Sequence, residues 1–208
     1  MLGVLAGADF GPELLARWAA SADLLVAADA GADRLRESGF SPDVVVGDMD
    51  SVSGEGRAFP AISSSDQDTT DADKLLAHVA SLGHRMVTLA GVEGDRLDHV
   101  LASVSSAVRS ELAVRLALRS GIAWVVKPGR TVAVAASEGA PVSLIPVLES
   151  IAFLSGVAWP LERHRLQPGG LVSISNRAIG GEVHASIEEG AALLVIGFEP
   201  AQMPFWDE

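Results

Sequence analysis

An α/β domain built on a parallel sheet, followed by an all-β sandwich, is the fold class this sequence predicts. Three observations predict it. Short apolar runs alternate with amphipathic helical stretches through the first 120 residues, the pattern of βαβ units with helices on both faces of a sheet. Past Gly121 no helical period of useful length remains, and turn signals recur at spacings of about 8–12 residues, as in a sandwich or barrel. Four acidic clusters in the first half each follow an apolar run, which puts them at strand carboxyl ends, where open α/β sheets bind ligands.

The elements follow in order. Leu2 to Ala6 reads as a first strand. It lacks a basic flank and turns polar at Asp9, so it is not read as a signal peptide. Pro12 to Ala20 reads as a helix: Leu14, Leu15 and Trp18 stand at helical spacing, and Pro12 suits the first turn. Leu24 to Ala28 is a strand, Ala32 to Ser38 a short helix closed by Gly39, and Val44 to Val46 a strand. Ala61 to Ser65 is a further run. Thr70, Asp71 and Asp73 open a helix over Ala72 to Leu82, with Leu75, Leu76 and Val79 on one face and Gly83 at its end. Met86 to Ala90 is a strand, Leu97 to Val108 a helix, and Ala113 to Leu118 a strand. The sum is a Rossmann-like sheet with flanking helices. The runs Thr131–Ala135, Val142–Ile145, Leu171–Ile174, Glu182–Ile187 and Leu193–Ile196 then lie between turns such as Pro128-Gly129 and Pro168-Gly169-Gly170. The boundary falls near residue 120, without a long linker.

Composition bounds the function. The chain has 208 residues, 49% of them hydrophobic and 20% charged, which is ample for a folded core. A net charge of −12 argues against a nucleic-acid surface, which needs a basic stripe. The absence of cysteine excludes disulfides, zinc–thiolate sites and thiol nucleophiles. No apolar run approaches the roughly 20 residues of a membrane span. A cytoplasmic protein, bound to neither nucleic acid nor membrane, is the expectation. There is no G-x-x-x-x-G-K-[ST] loop, no G-x-G-x-x-G fingerprint and no G-x-S-x-G elbow. The five histidines are scattered. Any nucleotide must therefore be held by carboxylate, metal and arginine.

The acidic clusters carry the candidate chemistry. Asp29 follows Leu24 to Ala28. Asp48 and Asp50 sit in Gly47 to Ser51; residues two apart in an extended segment point the same way and can address one ion, although an acidic surface turn reads alike. Asp66, Asp68, Asp71 and Asp73 crowd into Asp66 to Lys74. Helix capping accounts for Asp73, whereas Thr70 and Asp71 stand at a strand-to-helix mouth, where helix amides meet phosphate. Asp95 and Asp98 flank Arg96, whose planar fork suits a phosphate. Asp98 either orients Arg96 or ligates a metal, and the pair equally fits a surface salt bridge. His99 reads as packing or capping. Two carboxylates about 4 Å apart repel by about 4 kcal/mol at an effective dielectric of about 20, so a cation must answer such a group. Hard oxygen ligands suit Mg²⁺ alongside substrate phosphates.

Ala28 to Arg34, Ser41 to Ser51, Asp66 to Lys74, Arg96 to His99, Ser155 to Leu161 and Ser173 to Asn176 together resemble, in order and spacing, the motifs of the thiamine pyrophosphokinase family. The resemblance implies residues 1–120 as an α/β nucleotide- and metal-binding catalytic domain, and 121–208 as a β-sandwich for thiamine binding and dimerisation. It implies transfer of pyrophosphate from ATP to the hydroxyl of thiamine, giving thiamine diphosphate and AMP, with Mg²⁺. It also implies a homodimer with active sites at the subunit interface. Asp29, Asp48, Asp50, Thr70, Asp71, Arg96 and Asp98 fall on the family's functional positions, and Trp159, Ser175 and Asn176 on its thiamine pocket. Three positions depart from the family's pattern: Ala30 stands for a second glycine, Asp33 for an asparagine, and Thr69 for lysine or another larger polar residue.

From these residues the expected site has Asp48, Asp50 and Asp71 as metal ligands and Asp29, Thr70 and Arg96 at the nucleotide. Arg96 draws charge from the transferring group, Asp98 holds it, and Asp71 accepts the alcohol's proton. Trp159 stacks on a cationic ring, or is an ordinary core or interface tryptophan. Ser175 and Asn176 line the acceptor, or are turn formers. Three rivals stand beside this reading: a pyrophosphokinase for a pterin alcohol, a thiamine or nucleotide sensor without turnover, and a Mg²⁺-dependent phosphohydrolase.

Overall fold

A computed structural model describes residues 1–7, 10–48, 59–63, 68–94 and 96–198. The chain divides into two compact units, the first spanning Met1–Arg119 and the second beginning at Ser120.

The first unit alternates strand and helix. In order come β1 (Leu2–Val4), α1 (Pro12–Ala20), β2 (Leu25–Ala28), α2 (Gly31–Glu37), β3 (Val44–Gly47), β4 (Ala61–Ser63), α3 (Asp71–Ser81), β5 (Met86–Ala90), α4 (Leu97–Arg109) and β6 (Ala113–Leu118). The strands pair in parallel, in the order β6-β5-β1-β2-β3-β4. From β1 the chain steps outward through β2, β3 and β4; α3 then returns it past β1 to β5. The direction of winding reverses between β1 and β5, and such a switch opens a crevice at the strand carboxyl ends.

The helices bury the faces their spacing predicts. Leu15 and Trp18 of α1 and Leu75, Leu76 and Val79 of α3 are buried. Leu75 packs directly on β1 because position 3 is glycine: a Cβ there would stand 2.7 Å from Leu75 Cδ2. Truncating a buried leucine of this kind costs about 2–5 kcal/mol. α4 differs, since only Ser106 and Ala107 are fully buried along it, and Leu97 and Leu101 are exposed.

The second unit is all-β: β7 (Gly121–Val126), β8 (Thr131–Ala136), β9 (Pro141–Pro146), β10 (Ser150–Ser155), β11 (Leu161–Leu166), β12 (Ser173–Arg177), β13 (Gly181–Glu189) and β14 (Ala192–Gly197). Its strands run β12-β9-β14-β7 in one layer and β11-β10-β13-β8 in the other. Val126, Val142, Leu144 and Leu194 from the first layer share one apolar core with Leu154, Leu166, Val183 and Ile187 from the second. This is a sandwich of two antiparallel layers. β7, β10 and β11 are additions to the five runs read from sequence. Gly121–Val126 is nearly continuous in burial, so it shows no alternation, and Leu161–Leu166 is mostly exposed and charged. Among the described residues no helix is long and apolar enough to cross a membrane.

Candidate active site

A cavity of about 620 Å³ opens at the β1/β5 switch point. That size is typical of small-molecule sites. Gly7 and Gly91 form part of its lining, where two chain segments nearly touch: the Gly7 amide donates to the Gly91 carbonyl at 2.8 Å, and a side chain on Gly7 would strike that same carbonyl. Only glycine permits so close a backbone approach. Thr70, Asp71, Arg96, Asp98 and His99 also line the cavity. Sequence positions from two different helix starts therefore meet in one place.

Each helix start is built differently. Thr70 caps α3 through a capping box: the Asp73 amide donates to Thr70 Oγ1 at 3.1 Å, and the Thr70 amide donates to Asp73 Oδ2 at 3.1 Å. The box holds α3's first turn in place, and the positive end of the helix dipole with it. At α4 no side chain caps the helix; instead Arg96 pairs with Asp98, with Nη2 to Oδ2 at 2.6 Å and Nε to Oδ1 at 3.3 Å. The hydrogen bond from Arg96 is the largest influence on the Asp98 carboxyl and, helped by the guanidinium charge, holds it below the ordinary aspartate range against the opposing effect of desolvation. Both side chains are exposed, so the pair contributes little to folding; it aims a guanidinium over the cavity.

Asp29 and Asp48 occupy the neighbouring strand ends. Asp29 follows β2, is 5% exposed and has φ +41°, a left-handed backbone uncommon for a non-glycine residue. Its amide donates to the Val46 carbonyl at 3.2 Å. Its carboxylate lies against the α-carbon of Gly47, where any side chain would collide with it. Asp48 follows directly at the end of β3. Neither Asp29 nor Asp48 lines the cavity. Asp50, Asp66 and Asp95 lie outside the described residues. Among the described residues, no three acids or histidines gather as a metal-binding group. Asp48 and Asp71 remain all-oxygen donors, the chemistry a hard divalent ion takes.

In the second unit, Trp159, Leu171, Ile174 and Asn176 line a smaller cavity of about 250 Å³. The indole is presented outward, 63% exposed. Asn176 is buried, and its amide is taken up by backbone: Nδ2 donates to the Trp159 carbonyl at 2.7 Å, and Oδ1 accepts the amides of Trp159 at 3.1 Å and Arg177 at 2.9 Å. Ser175 does not line this cavity; it takes φ +56° where β12 slips register against β9, and its amide donates to Ser143 Oγ at 3.2 Å.

Sequence reasoning missed Ser106 and Arg109. Arg109 Nη2 donates to Asp73 Oδ1 at 2.8 Å, and Ser106 Oγ lies 3.1 Å from Thr70 Oγ1. Their i, i+3 spacing was visible, but nothing local points to partners some 36 residues back. The Gly7–Gly91 approach is equally invisible without the β1–β5 pairing.

Comparison with known proteins gives a consistent result. The family model described as thiamin pyrophosphokinase, catalytic domain, matches residues 15–118, and the model described as thiamin pyrophosphokinase, vitamin B1 binding domain, matches residues 131–192. Thiamine pyrophosphokinase of Bacillus subtilis (strain 168) is 25% identical over 184 residues, which cover 83% of this chain and 86% of that protein. Thiamine pyrophosphokinase 2 of Arabidopsis thaliana is 27% identical over 221 residues, covering 89% of this chain and 82% of the relative. The crystal structure of thiamin pyrophosphokinase from Geobacillus thermodenitrificans aligns with a TM-score of 0.79 over 97% of this chain and 99% of that one; at 24% identity this is a likeness of fold.

Proposed function

We propose that this chain, which belongs to the thiamine pyrophosphokinase family of kinase-type enzymes, transfers pyrophosphate from ATP to the hydroxyl of thiamine. The observation that carries the reading is the convergence of Thr70, Asp71, Arg96 and Asp98 on one cavity at the β1/β5 switch point. The thiamine oxygen attacks the β-phosphorus, the bond from that phosphorus to the α–β bridging oxygen breaks, and AMP departs with that electron pair. Such chemistry depends mainly on positioning and charge stabilisation. Arg96, aimed by Asp98, donates to oxygens of the transferring group. The first amides of α3, at Asp71 and Ala72, receive phosphate oxygens; Thr70, whose amide and hydroxyl both donate to Asp73, holds that turn at the nucleotide, and Asp29 shapes the nucleotide end. Asp71 accepts the alcohol's proton. Asp48, Asp50 and Asp71 would hold Mg²⁺, which supplies neutralisation of phosphate charge when bound.

The Trp159 indole offers a face to the cationic ring of thiamine, worth about 0.5–2 kcal/mol. Ser175 stands beside Asn176 at the edge of this acceptor site. The enzyme acts as a homodimer with sites at the subunit interface. Leu97 and Leu101 support this, being 69% and 60% exposed and one turn apart on α4. A cytoplasmic location fits the use of ATP.

Purified protein with ATP, Mg²⁺ and thiamine or a pterin alcohol tests the reading by AMP release. Thiamine-dependent AMP is expected. AMP only with the pterin, no turnover, or phosphate released without an acceptor would each replace it.

A further inference from the structure

Building on that reading, we propose that Arg109, Ser106 and Asp73 are positioning residues: they clamp the amino end of α3 to α4 and thereby set Thr70 and Asp71 against Arg96. None of the three lines the cavity. Both oxygens of the Asp73 carboxylate are engaged by neighbours. Oδ2 accepts the Thr70 amide at 3.1 Å and the Thr70 hydroxyl at 2.8 Å, while Oδ1 accepts Arg109 Nη2 at 2.8 Å. Arg109 is itself fixed on its own helix, since Nη1 donates to Ser105 Oγ at 2.8 Å and Nη2 to Ser106 Oγ at 3.3 Å. Arg109 is exposed, but three partners on its planar fork restrain it more than a single contact would.

The capping box alone orders only α3's own first turn. It does not say where that turn lies relative to anything else. Ser106 and Arg109 supply that reference. Ser106 is 1% exposed, its hydroxyl lies 3.1 Å from Thr70 Oγ1, and it donates to the Ala102 carbonyl at 3.0 Å. Arg96 and Asp98 stand at the opposite end of the same helix, with Arg109 about 20 Å further along at 1.5 Å per residue. α4 thus acts as a strut: one end carries the phosphate-facing arginine, and the other fastens the acid-bearing start of α3. Loosening the fastening misplaces Asp71 against Arg96 without touching the acceptor.

The test is Arg109→Ala, with Ser106→Ala as a milder variant and Arg109→Lys as a partial rescue, read by steady-state kinetics and by amide hydrogen exchange across residues 70–76. Arg109→Ala is expected to lower kcat by about ten- to hundredfold, the scale of a remote misplacement, and to leave the KM for thiamine unchanged. Ser106→Ala should do less, and Arg109→Lys should recover part of the loss. Exchange should quicken at Asp73 and Lys74 while the rest of α3 stays protected. Unchanged kcat, or a loss matched by global loss of protection, overturns the clamp. If the wild type makes no AMP from ATP and thiamine, the reaction reading falls, and exchange alone decides: unchanged protection at Asp73 and Lys74 in Arg109→Ala then rejects the clamp.

Discussion

The carboxamide of Asn176 grips the backbone of Trp159 from both sides, donating to its carbonyl at 2.7 Å and accepting its amide at 3.1 Å. The indole beyond it is left outside, largely exposed. A buried side chain is spent on orienting one aromatic face, so the two residues should behave as one unit. Trp159→Ala is expected to raise the KM for thiamine by up to about thirtyfold, the equivalent of a cation–π contact, and to leave the KM for ATP near wild type. Asn176→Ala should shift the same constant in the same direction and also cost about 1–3 kcal/mol in urea unfolding, since it strands buried backbone groups. Equal shifts for both substrates would count against stacking.

Arg96 and Asp98 should separate by size of effect. Arg96→Ala removes a donor to the transferring group and is expected to lower kcat by about a hundredfold or more. Asp98→Asn keeps that donor and loosens only its aim, so a loss of about tenfold is expected. Comparable losses in the two variants would show that Asp98 does more than orient its neighbour.

Gly47→Ala probes the packing of Asp29. The new methyl must displace the Asp29 carboxylate or the backbone beside it. Overpacking of this kind costs about 1–3 kcal/mol, and a side chain at φ +157° adds backbone strain, so the urea midpoint falls. Unchanged stability would mean that Asp29 moves freely and that its placement is not held by the glycine.

Asp73 supplies a pH prediction. Burial alone would raise its pKa, but the hydrogen bonds from the Thr70 amide and hydroxyl and from Arg109 help to outweigh burial and hold the carboxyl below the ordinary value of 3.8. The unfolded chain then takes up the proton first as pH falls. The stability owed to the charged form is fully present above pH 3.8 and is lost as pH drops through the folded value beneath it. The gap in urea midpoint between wild type and Asp73→Asn should hold steady above that pH and close below it. A gap that widens in acid would contradict the capping assignment.

Much of the fold was legible because its periodicities are local. Leu75, Leu76 and Val79 announce a buried helix face, and Val44 to Val46 a buried strand. Thr70 with Asp73 announces a cap. What stayed hidden depends on distant pairing. The Gly7–Gly91 contact exists only once β1 and β5 lie side by side, and the Asp73–Arg109 bond only once α3 crosses α4. Trp159 and Asn176 stood out only through the family resemblance, and their division of labour, one facing outward and one holding it, is set by the backbone geometry of β12.

The most direct measurement compares thiamine diphosphate and AMP formation by wild type and Asp71→Asn under saturating ATP, Mg²⁺ and thiamine. The account predicts one AMP per thiamine diphosphate in the wild type, and a loss of about a hundredfold or more in a variant that remains folded by circular dichroism. Full turnover by Asp71→Asn, or AMP released without thiamine, would contradict it.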